Sequence, residues 1–357
     1  MLDEYENIIF KQEYVKKGYE FFKYVLEVYK DYNTIINLTD SSDPEFSTLI
    51  RTLNASMPST DWVPVVLSYY KKFDSKGIKE FTLRIACKNI ADAVCGRSPS
   101  QRIDDLNSII ALVNEKDNYE EVLAANEYYA FKKDIFLANI QSDIYGRRYT
   151  LALLMLLDYK YRDKSEWKEF GTISIEHILP QNPRQRSQWM KDFTEEQRSY
   201  YTHKIGNLCL IGRRKNSSLS NLDYKDKLKR YFEKNIGSFA NTQKIYNTYP
   251  ERWTPDEVYE NQECVIEDLK EIFGITGETP VPLNHEPEKQ VPSQEGKPSY
   301  MELTKQQYER AYEYWSEEED QLLIEMCNLG KSDSEIAEKL KRKPSAITTR
   351  REKLLGE

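Results

Sequence analysis

The stretch Thr172–Pro183, "TISIEHILPQNP", fixes how the rest of the chain is read. Its first half alternates apolar and polar residues as a short strand does, and it ends on Glu176 and His177. Pro180 follows closely and cannot continue a ladder in the middle of a sheet. The chain holds only three histidines, His177, His203 and His285. A single imidazole at a strand end is more often a satisfied core residue than a reactive one, so the neighbours decide. A second short run, "IGNLCLIG" from Ile205 to Gly212, is flanked by glycine and reads as another strand, with Asn207 at its start. Asn216 comes next, in "RRKNSSLSN", and then the lysine-rich helix "YKDKLKRYFEK" from Tyr224. The polar stretch between the two strands, Arg184–Lys204, reads as helical, and His203 near its end reads as a surface or loop residue.

Outward from this centre the chain is mainly α. Its 357 residues exceed one simple core and imply two or three domains. Residues 1–165 read as a helical scaffold. Val15, Tyr19, Phe22, Leu26 and Tyr29 recur at steps of three and four, marking one apolar helix face. "STDWVPVVLSYYKKF" offers Thr60 as a cap with Pro64 in the first turn, and a further helix spans Gly77 to Gly96. Residues 166–276 hold the strand pair and its helices. Residues 277–306, rich in Pro, Glu and Gln without apolar periodicity, read as a flexible linker that includes His285. Residues 307–357 give three more helices. The first starts at Ser316 and ends near Gly330, the second is capped by Ser332 or Asp333, and Pro344 opens the third.

Composition removes several classes. Lysine plus arginine number 51 against 59 acidic residues, a net charge of -8, which argues against a histone-like coat on nucleic acid but leaves room for a local basic face. The five cysteines form no C-x-x-C pair, so no zinc ribbon is expected and the thiols suit a reducing compartment. No run of about 18 apolar residues occurs, and the acidic start lacks signal-peptide character, so a cytoplasmic protein with no membrane contact is expected.

The strings "IEHILPQ", "KIGNLCLI", "NSSLSN" and "YKDK" together resemble the C-terminal HNH, or His-Me finger, nuclease domain of GmrSD-type, modification-dependent restriction endonucleases. The resemblance covers about residues 166–275 and extends more loosely into the helices before it. It implies a small ββα-metal unit that hydrolyses phosphodiester bonds in DNA, in restriction or phage defence. His177 would be the general base, a role suited to an imidazole near neutral pH. Asn207 would brace the loop and orient His177. A single Mg²⁺ (or Mn²⁺) would be held by Glu176 and the amide oxygen of Asn216, oxygen donors of the kind a hard cation prefers. Adjacent strand residues face opposite ways, so the resemblance requires the strand to end and bend there. Arg213, Arg214, Lys215 and Lys225 would contact phosphate.

Two departures stand out. The arginine expected in the closing helix is replaced at Asn261 or Gln262, and Phe273 stands where tryptophan is usual. No "DGQQR"-type stretch of the family's N-terminal half occurs, which implies a separate nucleotide-dependent subunit or a split or truncated member. The tail "WSEEEDQLLIEMCNLGKSDSEIAEKLKRKPSAITTRREKLL" resembles Myb/SANT-like helix-turn-helix modules, whose third helix enters the major groove. That resemblance points to Lys343, Thr348 and Arg351 as DNA contacts, with a protein-interaction bundle as the other use. The rival readings of the whole chain are a non-catalytic DNA-binding or regulatory protein with a retained nuclease fold, and an HNH-type ribonuclease toxin.

Overall fold

A computed structural model describes residues 18–38, 43–164, 172–212, 221–233, 239–276, 308–310, 316–342 and 344–355. The expected linker lies outside them. The chain divides into two compact units, residues 1–281 and 282–357. The fold is mainly helical, with one two-stranded sheet among the described residues.

The first unit opens with α1 (Tyr19–Ile35), α2 (Pro44–Ser56), α3 (Trp62–Phe73), α4 (Ile78–Val94) and α5 (Pro99–Glu115). Local chemistry starts and stops these helices. Asp43 caps α2 by accepting from the backbone N–H of Glu45 and Phe46, and Ser98 with Gln101 forms a reciprocal box at the start of α5. Helix α3 begins one residue later than Thr60 suggests, with Asp61 in the cap position. Trp62, Tyr69, Phe81, Leu49 and Ile50 are the large side chains of the core these helices share.

The helix read from Tyr19, Phe22, Leu26 and Tyr29 is α1. The face carrying Tyr19, Phe22, Leu26 and Tyr29 is not a core face: these residues are 79%, 65%, 59% and 60% exposed. Helix α1 turns a different side to α3, where the Lys71 ammonium sits 3.8 Å over the Tyr24 ring, and it buries only its C-terminal end at Ile35 and Ile36. Val15, the fifth member of that face, lies outside the described residues.

Helices α6 (Tyr119–Ala124), α7 (Lys133–Gln141) and α8 (Thr150–Tyr161) lead to the sheet. Helix α8 is apolar on all sides, and Ala152 to Leu157 are all buried, as expected of a helix at the centre of a core. Strand β1 (Ile173–His177) pairs antiparallel with β2 (Leu208–Gly212). Between them lie the short helices α9 (Trp189–Asp192) and α10 (Glu195–Tyr201). Helices α11 (Tyr224–Glu233), α12 (Ala240–Thr248) and α13 (Pro255–Ile272) follow.

Two isolated strands are marginal in water, so this pair depends on its supports. Thr242 of α12 serves β2 directly: its hydroxyl donates to Leu210 O (2.8 Å) and accepts from Leu210 N–H (3.1 Å). One apolar cluster joins Ile90, Phe136 and Leu153 to Leu208, Leu210 and Leu269, so no core boundary falls at residue 165. The buried carboxylate of Asp158 ties the same elements together, taking Asn241 N–H at 3.2 Å and the Arg162 guanidinium at 2.5 and 2.9 Å.

The second unit holds α14 (Glu317–Asn328), α15 (Asp333–Leu340) and α16 (Pro344–Leu355). Ser316 and Ser332 each form a capping box, with Glu319 and Glu335, so Ser332 rather than Asp333 caps the middle helix. Leu323, Ile336, Ala337, Leu340 and Ile347 form its core.

Candidate functional site

The strand ladder is regular through its end, with Glu176 opposite Cys209 and His177 opposite Leu208. Successive side chains therefore leave on opposite faces. Glu176 turns toward α11, where its Oε1 meets the ammonium of Lys227 at 2.8 Å. The Lys227 side chain is 0% exposed, and Nζ also donates to the carbonyl of His177 at 2.6 Å. Burial pushes the Glu176 carboxyl upward from its ordinary value, opposed by attraction and hydrogen bonding from Lys227. Lys227 is thus a buried anchor of the strand end, its positive charge spent on Glu176 and the His177 carbonyl. The backbone breaks only after His177, so Glu176 and the His177 imidazole do not share a face.

His177 faces the other way, toward three partners. Its Nδ1 is 3.2 Å from Gln181 Nε2, and its Nε2 is 3.4 Å from His203 Nδ1. The Tyr145 ring meets His177 edge to face with centroids 4.2 Å apart. His177 itself is 6% exposed, whereas Gln181 and Tyr145 are open to solvent and His203 is half-buried. Burial, then the neighbouring His203 and Lys227, lower the His177 imidazole from the usual value to about 3. It is therefore a neutral ring at physiological pH, with Gln181 at Nδ1 and His203 at Nε2.

Asn207 organises the turn after β1 and is itself fully buried. Its Oδ1 accepts from Leu179 N–H (2.8 Å) and from Trp253 Nε1–H (3.2 Å). Its Nδ2 donates to Leu179 O (3.0 Å) and Thr202 O (2.9 Å), and its backbone carbonyl accepts from Ile178 N–H (3.0 Å). One amide thus links the segments that carry His177 and His203.

The glycine before Asn207 has a steric reason. A Cβ on Gly206 would lie 2.6 Å from the Cα of Gln262 in α13, too close for any side chain. Gln262 Oε1 accepts the Gly206 N–H and Asn261 Nδ2 donates to the Gly206 carbonyl, both at 2.6 Å. The two positions where an arginine was expected therefore hold the backbone of the "GNL" turn.

Asn216, Arg213, Arg214, Lys215 and Lys343 lie outside the described residues. Lys225 projects into solvent and pairs with Glu251 at 3.0 Å. In the second unit, Thr348 donates to Asp333 Oδ2 and Arg351 pairs with Asp333 Oδ1, both at 2.6 Å. Arg350 is likewise held by Asp320. His203 is the residue the sequence undervalued: "THKIGN" carries no signal that its ring meets a strand end 26 residues earlier.

The described residues do not make a ligand set for the implied divalent cation. Glu176 is committed to Lys227, the His177 ring nitrogens meet Gln181 Nε2 and His203 Nδ1, and no three His, Cys, Asp or Glu side chains converge among the described residues.

Residues 113–268 match the family model for GmrSD restriction endonucleases, C-terminal domain. The match begins well before the strand pair and takes in α7, α8 and Tyr145. No curated protein and no solved structure matches the chain. No described helix is long and apolar enough to cross a membrane.

Proposed function

We propose that this chain is a DNA endonuclease of the HNH class, acting in restriction or phage defence, with His177 as its general base. The observation that carries the reading is the imidazole at the end of β1, set between Gln181 and His203 and aimed away from its buried neighbour Glu176, inside the segment that matches a restriction-endonuclease domain. In this reading His177 takes a proton from water as the water oxygen bonds to phosphorus, the bond from phosphorus to the 3′ oxygen breaks, and the departing 3′ oxygen takes a proton from solvent. Asn207 holds the loop that carries the base. Arg213, Arg214, Lys215 and Lys225 receive the phosphate backbone, and Lys343, Thr348 and Arg351 of the C-terminal bundle hold DNA nearby, where a tether raises effective concentration.

A Mg²⁺ or Mn²⁺ ion and a separate nucleotide-dependent subunit of the GmrSD N-terminal type belong to this proposal through the resemblance. No step is derived through the cation, because the described residues do not form its site. The test is nicking of supercoiled plasmid in Mg²⁺ or Mn²⁺ by the full chain and by His177→Ala. Loss of nicking in the variant is expected; equal behaviour of the two proteins removes the enzyme and leaves a DNA-binding or regulatory protein. Competition between duplex DNA and folded RNA separates the ribonuclease reading, since A-form helices deny the recognition helix its groove.

A further inference from the structure

Two adjacent links lock the loop Asp143–Tyr145 onto His203 and Lys204. Ile144 N–H donates to the His203 carbonyl at 3.2 Å, and the Lys204 ammonium lies 3.2 Å from Asp143. Ile144 is fully buried, which fixes the loop from below. Tyr145 is thereby set against both imidazoles. Its ring lies nearly parallel to His203, 16° between planes and 5.6 Å between centroids, and nearly edge-on to His177. From the other side, Asn207 Nδ2 holds the carbonyl of Thr202, the residue before His203. Three separate chain segments thus converge to place one half-buried ring against a buried one.

We propose that His203, seated on Tyr145, is the positioning residue of His177: it fixes the plane and the tautomer of that imidazole. A histidine ring can turn about its Cβ–Cγ bond, and only contacts at both nitrogens and on its face define which nitrogen carries the proton. His177 has such contacts at Nδ1 from Gln181, at Nε2 from His203 and on its face from Tyr145. The Gln181 Nε2 amide donates, so His177 Nδ1 accepts and the ring proton sits on Nε2, which donates it to His203 Nδ1; the exposed Gln181 is the contact that a water can replace at the Nδ1 lone pair. A base whose reactive lone pair must meet water at a defined angle gains from this directly, because misorientation of a reacting group by a small amount costs orders of magnitude in rate. Glu176 and Lys227, the other charged groups at this strand end, act on the opposite face and on the His177 carbonyl, and leave the ring's plane to His203 and Tyr145.

This inference rests on the assignment of His177 as the base, and its test separates the two. With only three histidines in the chain, long-range ¹H–¹⁵N spectra of the full-length protein report each ring by itself. The wild type is expected to show His177 in one tautomer. His203→Ala should move those nitrogen shifts toward an averaged pair, and His203→Asn, which keeps a polar atom near the place of Nδ1, should restore a single tautomer. In the nicking assay, His203→Ala should lower kcat about 30- to 100-fold with KM within about twofold, and His203→Asn should recover to within about tenfold of wild type. If His203→Ala fails to fold, Tyr145→Leu, which removes the ring support, takes its place as the probe. Unchanged His177 shifts in His203→Ala, or in Tyr145→Leu where that variant stands in, overturn the inference whatever the enzyme does. Inactivity of His177→Ala alongside wild-type kcat in His203→Ala also overturns it, while the general-base reading stands. If His177→Ala nicks as well as wild type, the general-base reading fails on its own and the tautomer measurement still decides the positioning claim.

Discussion

Lys227 Nζ lies 2.8 Å from Glu176 Oε1, both side chains are buried, and the two residues are 51 positions apart. In this structure the acid that precedes the histidine is paired with Lys227. The pair joins α11 to the end of β1 and, through the His177 carbonyl, sets where the strand stops.

A buried pair costs most when half of it is removed, because the remaining charge loses its partner without regaining water. Lys227→Met should therefore destabilise the first unit by roughly 3–5 kcal/mol, and Glu176→Gln in that background should recover part of the loss. Urea unfolding of the two single variants and the double variant measures the coupling. Additive losses would show that the pair contributes no interaction.

The His177 imidazole is held at about 3, below the ordinary value of a free histidine. The folded state therefore takes up this proton less readily than the unfolded state does. The sign follows: the contribution to stability is complete above roughly pH 6.5 and declines as pH falls from there toward about 3. His177→Asn removes the titrating ring, so its stability should fall less steeply over that window than that of the wild type. Thermal melts at closely spaced pH values make the comparison, and parallel curves would contradict it.

Asp333 occupies both proposed DNA contacts of α16, accepting from Thr348 and pairing with Arg351. Asp333→Asn should weaken the hold on Arg351 and raise affinity for duplex DNA a fewfold, with the slope of log K against log salt steeper by about one. Fluorescence anisotropy across a salt series reads both quantities. No change in either would favour the protein-interaction use of this bundle.

Local pattern in the sequence was sufficient for the strand pair and the helices it named, while the cap it offered at Thr60 falls on Asp61. Period, β-branching and residues such as Ser316, Ser332 and Pro344 act within a few positions of themselves. It also marked His177 and Asn207, because "EHILP" and "GNL" are contiguous strings whose residue types are unusual together. What the tertiary structure decided was which faces meet. An apolar period on α1 says that a helix forms but not whether another element covers it, and Tyr19 and Phe22 stay exposed. Lys227 looked like one of several surface lysines until the α11 packing removed it from water. His203 reaches His177 across 26 residues because Asn207 and the Asp143–Tyr145 loop bring two segments together. Such contacts depend on the summed packing of distant elements, and no string of neighbouring residues encodes them.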